Sequence, residues 1–425
     1  MIDEACACPS YASTRRNFLR NVTLASTGTM AATMFGDTFR QTAFGATDSN
    51  VVVVLSLRGG ADFLSLVVPH AESMYYDRRP NISVPKATLK CADEKFGLHP
   101  AFQPLVPLWK QAGPSGVGMG VVLATGMAVP NRSHFDAIEA IEDAAPGSDT
   151  RTGWINNLVG LQGLSDPLEA VSVGSGMMPT SMVGSQPTLA ATSTDAIDLA
   201  GGSGPGAAAL RRKALNQIWG QANGTLALGA RSSLSTTERL AATLSTGYTP
   251  SNGANYPDDS LGHALSDTAR LIKAQVGVKV VTVDHGGWDM HSNIGNLSAT
   301  GDLCINGMAT RLANALAAFF RDLGAGGARV TLVTVTEFGR RVTKNGAGGL
   351  DHGWAGSTLV VGGGVNGGQY HGKWPGLSDA NLKDGDLAVT TDYRSVLGEI
   401  LAKRLGVSIS DVFPGFVSSP VGVMA

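Results

Sequence analysis

The sequence predicts an α/β protein, a three-layer sandwich built on a mostly parallel central sheet. Apolar β-branched runs recur without polar alternation, VVVVLSL at 51–57 being the first, which is the pattern of strands covered on both faces. Stretches with apolar residues at helical spacing lie between several of these runs. Glycine is abundant, 55 of 425 residues, and supplies the tight loops that join buried elements.

The chain opens on an address rather than on structure. In STRRNFLR, Arg15 and Arg16 precede Asn17, Phe18 and Leu19, and a mildly apolar stretch follows to Phe35, ending near AFGA. This resembles a twin-arginine export signal spanning residues 1–46, so the expected location is periplasmic, cell-envelope or extracellular. Cys6 and Cys8 would leave with it. Cys91 and Cys304 remain, either as one disulfide or as two separate buried thiols.

Residues 47–425 read as one domain. The strand 51–57 exits into RGGAD. A second apolar run, GVGMGVVLATG, ends at Gly126 and leads through MAVPNR into SHFDAIEAIED, where Phe135, Ile138 and Ile141 keep helical spacing. The text then turns Gly-, Ala- and Ser-rich over about 156–267 and reads as an insertion or cap over the sheet edge. GVKVVTV at 277–283 opens into VDHGGWDMHSN. A helical stripe of Leu312, Leu316, Phe319 and Leu323 precedes ARVTLVTV, which ends at TEFGRR; STLVVGGGV and an amphipathic helix stopping at Gly406 close the chain.

Charge narrows the partners. With 32 basic and 34 acidic residues, a formal −2, there is no electrostatic case for nucleic acid or an anionic membrane surface. After the signal no run is long enough to span a bilayer. A small molecule is the expected partner.

The unusual polar residues fall just past the strands: Asp62, Ser133, Asp289, His291 and Glu337. In open α/β sheets ligands bind outside the carboxyl ends of the strands. Asp289 and His291, flanked by flexible Gly286 and Gly287, form a carboxylate–imidazole pair of the kind that binds divalent ions, and His352 in LDHGW offers a third donor. The plainer reading is that both histidines only hydrogen-bond to loop backbone. Asp62 and Glu337 with a serine oxygen form an all-oxygen set suited to a hard cation. Arg58, Arg132, Arg340 and Arg341 stand beside them, either paired with these acids or ready to hold an oxyanion. Ser133 is a helix N-cap by its pattern, and the same position suits a hydroxyl nucleophile in the positive field of the helix. His99 reads as a cap.

LRGGADFLSLVVP, FGLHPAFQPLVPLW, NRSHFDAIEAIE, GGWDMHSN, TEFGRRVTKNGAGGLDHGW, VNGGQYHGKWPGL and TTDYRSVLGEIL occur in this order. Together they resemble the exported bacterial family known as domain of unknown function 1501, itself similar to the alkaline phosphatase and sulfatase superfamily. That resemblance implies a hydrolase of phosphate or sulfate esters, small-molecule or glycan, using a divalent metal ion (Zn, Ca, Mg or Mn). It implies one metal site from Asp289, His291 and His352 and another from Asp62, Ser133 and Glu337. Ser133 would attack the ester while Arg58 or Arg132 steadies the developing charge. Phe338 stands where the superfamily pattern has an imidazole ligand, and the spacing from Asp289 to His291 is shorter than usual. The competing expectation is a non-catalytic periplasmic or cell-surface binding or assembly protein that keeps the fold.

Overall fold

A computed structural model describes residues 49–110, 116–149, 151–161, 166–197, 206–244 and 247–425. The expected export signal, 1–46, lies outside the described residues. Its continuation starts almost at once as β1 (Val51–Leu57), the apolar run read from the sequence.

The main sheet is assembled from β1, β4 (Val117–Gly126), β5 (Ala170–Val173), β6 (Leu189–Ala191), β7 (Val280–His285), β8 (Val330–Val335), β9 (Gly356–Gly363) and β10 (Tyr370–His371). Their spatial order is β10-β4-β9-β8-β1-β7-β5-β6, and β11 (Thr391–Asp392) also pairs with β4. A short antiparallel pair, β2 (Val67–Val68) with β3 (Gly97–Leu98), stands apart. In the main sheet β9 alone opposes its neighbours, β4 and β8, and the other pairings are parallel. The exception has a physical cause. The chain leaves β8, loops over 336–355 on the same edge and re-enters the sheet without a crossover, which leaves an antiparallel partner. That excursion brings residues 337–352 back over the strand ends.

β1 lies between β7 and β8 and shows why the runs lack alternation. Val51, Val53, Leu55 and Leu57 pack in one core with Leu261, Leu265, Leu312, Leu316 and Phe319, from the helices Ser260–Lys273 and Ile305–Leu323. Val52 and Val54 pack in a second core with Trp154, Leu158, Val396 and Ile400, from the helices Trp154–Gly160 and Tyr393–Leu405. Both faces are therefore dry, and each buried Val or Leu contributes roughly 1.5–3 kcal/mol relative to exposure. The closing helix stops at Gly406, whose φ of 69° is the left-handed cap expected there.

The stretch expected as an insertion or cap supplies β5 and β6, which extend the sheet, and the helices Ala207–Gly220 and Thr225–Thr243. Cys91 and Cys304 are not joined in a disulfide. Cys304 instead caps the helix Ile305–Leu323, its sulfur accepting from the Gly307 N–H. Among the described residues no helix is long and apolar enough to cross a membrane.

Candidate metal centre

Three loops meet past the carboxyl ends of β1, β7 and β8, and glycine lets them approach. Gly59 and Gly60 have φ of 113° and 68°; a Cβ on Gly59 would stand 2.5 Å from the Asp289 nitrogen and one on Gly60 2.6 Å from the Phe338 ring. The RGGAD motif is thus a packing requirement of the site. The buried guanidinium of Arg340 ties the loops together. It donates to the carbonyls of Gly60 (2.7 Å), Leu350 (2.8 Å) and Trp288 (3.3 Å), to the Gly59 carbonyl, and to Asp289 Oδ1.

Around that carboxylate stand three imidazoles. Asp289 Oδ1 lies 3.1 Å from His291 Nε2, 3.3 Å from His352 Nε2 and 3.5 Å from His134 Nε2. His134, Asp289 and His352 have donor atoms all within 4.8 Å of one another, a group that could hold a metal ion. His291 joins from the exposed rim, its Nε2 2.9 Å from His352 Nε2.

The other ring nitrogens reveal the tautomers. His134 Nδ1 is 2.8 Å from Glu337 Oε1, His352 Nδ1 is 2.8 Å from the Arg132 carbonyl, and His291 Nδ1 is 3.2 Å from Asp351 Oδ1. A carbonyl and an ionised carboxylate only accept, so each Nδ1 must carry the proton and donate. In the neutral rings each Nε2 then presents a lone pair toward Asp289. His134 Nε2 is buried and has no hydrogen-bond partner among the described residues. Lone pairs facing a carboxylate oxygen, and facing one another at 2.9 Å, repel unless a cation lies between them. A proton can bridge one such contact; a shared metal ion relieves them all. The donor set therefore fits a metal ion.

Electrostatics favour the ligand forms. Burial alone would raise the Asp289 carboxyl, but the Arg340 hydrogen bond and charge, with His291 and His134, hold it below its ordinary value. Burial lowers the His352 pKa, with Arg340 and His134 acting in the same direction against the Arg132 carbonyl and Asp289.

The residues singled out from the sequence fall into two groups. Asp289, His291 and His352 come together. Glu337 stands behind them, its Oε1 accepting from His134 Nδ1 and from the Gly59 N–H at 2.7 Å. Asp62 is elsewhere in function: both its oxygens accept from the buried Arg79 guanidinium, at 2.6 and 3.0 Å. Arg79 also donates to the carbonyls of Val342 and Arg341, so Asp62 completes a closed structural pair. Ser133 caps the helix His134–Glu142, its Oγ accepting from the Asp136 N–H at 3.4 Å. No hydrogen bond among the described residues links that oxygen to the histidines. The oxygen set of Asp62, Ser133 and Glu337 is thus spread over three different tasks. Arg58 is held by Glu142 and Asp284, and Arg132 by the buried Asp386. His99 caps the turn Pro100–Leu105.

His134 is the participant that sequence reasoning missed. The motif SHFD drew attention to the serine, yet the next residue begins the helix beside β4's exit and turns its ring into the site. Phe338 does not leave a gap where an imidazole was expected; its ring packs on His134 and His352, with centroids 4.9 and 4.5 Å away.

Residues 243–402 match the family described as Protein of unknown function (DUF1501). The resemblance read from the motifs is confirmed over that span. The DUF1501 match contains Asp289, His291, Glu337, Arg340 and His352, whereas His134 lies before it. No curated protein matches the chain. Among solved structures it is similar to the C-terminal periplasmic domain of EcEptC from Escherichia coli in complex with Zn, at 10% identity and a TM-score of 0.38, covering 87% of this chain and 88% of that one. It is similar to a protein in the alkaline phosphatase superfamily from Vibrio parahaemolyticus (10% identity, TM-score 0.31, 76% and 62% covered). A third likeness is to the lipoteichoic acid synthase LtaP from Listeria monocytogenes (9%, 0.29, 82% and 76%). None of these carries a residue role over to this chain.

Proposed function

We propose that the chain is an exported metal-dependent hydrolase of phosphate or sulfate esters, acting on small-molecule or glycan substrates in the periplasm, cell envelope or extracellular space. The observation that carries the metal is the convergence of three Nε2 atoms on Asp289 Oδ1 while every Nδ1 is tethered to an acceptor. Donors around a tetrahedral ion at zinc–nitrogen distance stand roughly 3.3 Å apart; the three Asp289–imidazole spacings and the His291–His352 spacing are 2.9–3.5 Å, and the donor atoms of His134, Asp289 and His352 lie within 4.8 Å of one another. His134, Asp289 and His352 would hold the ion, with His291 beside them at the exposed rim. The imidazole-rich set favours zinc over calcium, magnesium or manganese.

A divalent ion there supplies Lewis-acid polarisation of an ester oxygen. The chain's own groups do the rest. Ser133, one residue before His134, places its hydroxyl at a helix N-terminus whose field favours developing negative charge. The Arg132 carbonyl tethers His352 while its partly exposed guanidinium is paired with Asp386, and Arg132 or Arg58 would meet an ester oxyanion.

One observation favours a second reading, a binding or assembly protein without turnover: Asp62 is spent on Arg79 and Phe338 fills the neighbouring space, so the second ion of a two-metal hydrolase lacks its ligands. Elemental analysis with a panel of aryl phosphates and sulfates separates the two. The hydrolase reading expects one ion per chain and turnover that Ser133→Ala abolishes with the ion retained. An ion without turnover supports the binding reading, and absence of both sinks the metal centre.

A further inference from the structure

We infer that Glu337 is a positioning residue: it fixes His134 in the Nδ1–H tautomer and thereby presents Nε2 to the metal position, rather than coordinating the ion itself. The inference deepens the metal-centre reading and rests on it for its binding arm. Three observations converge. The Glu337 side chain is 2% exposed and His134 Nδ1 lies 2.8 Å from its Oε1. The same oxygen accepts from the Gly59 N–H at 2.7 Å, so it is anchored to the exit of β1 and is not free to swing toward Asp289. The opposite ring nitrogen of His134 is buried, lacks a hydrogen-bond partner among the described residues and is aimed at the cluster. A carboxylate behind a ligand imidazole sets its tautomer, holds its ring plane and raises its basicity. The other two imidazoles are tethered by more exposed or neutral groups, Asp351 and the Arg132 carbonyl. Glu337 is the buried charged tether of the three.

The test reads the imidazole directly. In long-range 1H–15N spectra of the metal-free protein, with His134→Gln to assign the ring, wild-type His134 is expected to be protonated at Nδ1. Glu337→Gln, whose amide oxygen still accepts, keeps that tautomer; Glu337→Leu shifts it toward Nε2–H. Competition against a chelator should show Glu337→Leu weakening zinc affinity about 10–100-fold and Glu337→Gln by clearly less. X-ray absorption on zinc-loaded Glu337→Gln should show the wild-type ligand count. An Nε2-protonated His134 in the wild type overturns the proposal even if Glu337→Leu does not fold, as does loss of an oxygen ligand in Glu337→Gln. Failure of the wild type to bind zinc would sink the hydrolase reading, while the tautomer measurement still decides the role of Glu337.

Discussion

His291 and His352 face each other Nε2 to Nε2 at 2.9 Å, although their other ring nitrogens both point to acceptors. Such a contact needs a bridging proton or a shared metal ion, and the metal reading gives the site an internal order of importance. His352 and His134 are partly buried and reach the centre; His291 is exposed at the rim. His134→Ala and His352→Ala are each expected to weaken zinc binding by at least about 100-fold, or roughly 2.7 kcal/mol. His291→Ala should cost less, because water can replace it. Titration with a fluorescent chelator checks the ranking, and equal losses for all three would contradict it.

Asp62 and Arg79 make the opposite kind of prediction. Their pair is closed and nearly solvent-free, with side chains 2% and 0% exposed. Removing the acid leaves a buried guanidinium without its counter-charge, a loss of about 3–5 kcal/mol. Asp62→Ala should therefore lower the denaturation midpoint sharply and leave the ion stoichiometry of the folded fraction unchanged. A stable variant that no longer binds metal would restore Asp62 as a ligand.

These two predictions mark how far the sequence could be read. β1, β4, β7, β8 and β9 were legible because strands buried on both faces need unbroken apolar runs, the strand-exit rule led to Asp289 and His291, and His352 was read as a third donor from the Gly-rich loop that carries it. AVSV and LAA, which become β5 and β6, are too short and too plain to separate from the Gly- and Ala-rich text around them. The antiparallel course of β9 depends on the path of the 336–355 loop, which no local pattern encodes. Asp62 looked like a ligand because its partner, Arg79, lies in a different motif. His134 hid behind a serine that satisfied the capping pattern, and its significance exists only through Glu337, 203 residues away.

Gly59 tests whether the close approach of the loops is needed by the centre. A methyl group there meets the Asp289 nitrogen at 2.5 Å and a backbone φ of 113°. Overpacking of this kind costs about 1–3 kcal/mol, and the contact is with backbone, which cannot swing aside. Gly59→Ala is expected to shift the Asp289 loop, so zinc affinity should fall more steeply than stability. An alanine variant with unchanged affinity would show that the loop has slack.

Acid sensitivity should come from histidines outside the centre. His99 and His285 are buried, and burial pushes both pKa values down to about 4, against a smaller opposing pull from Asp62 on the first and Asp259 on the second. In the unfolded chain both titrate near 6.5. Between those values the unfolded state binds more protons, so stability is whole above pH 6.5 and is lost as pH falls toward 4, by up to roughly 3 kcal/mol per histidine. Urea midpoints of the metal-free protein from pH 7.5 to 4.5 should follow this fall. His285→Asn removes one titrating ring and should shallow the slope by about half in that window. The same slope in wild type and variant would place the acid sensitivity in other groups.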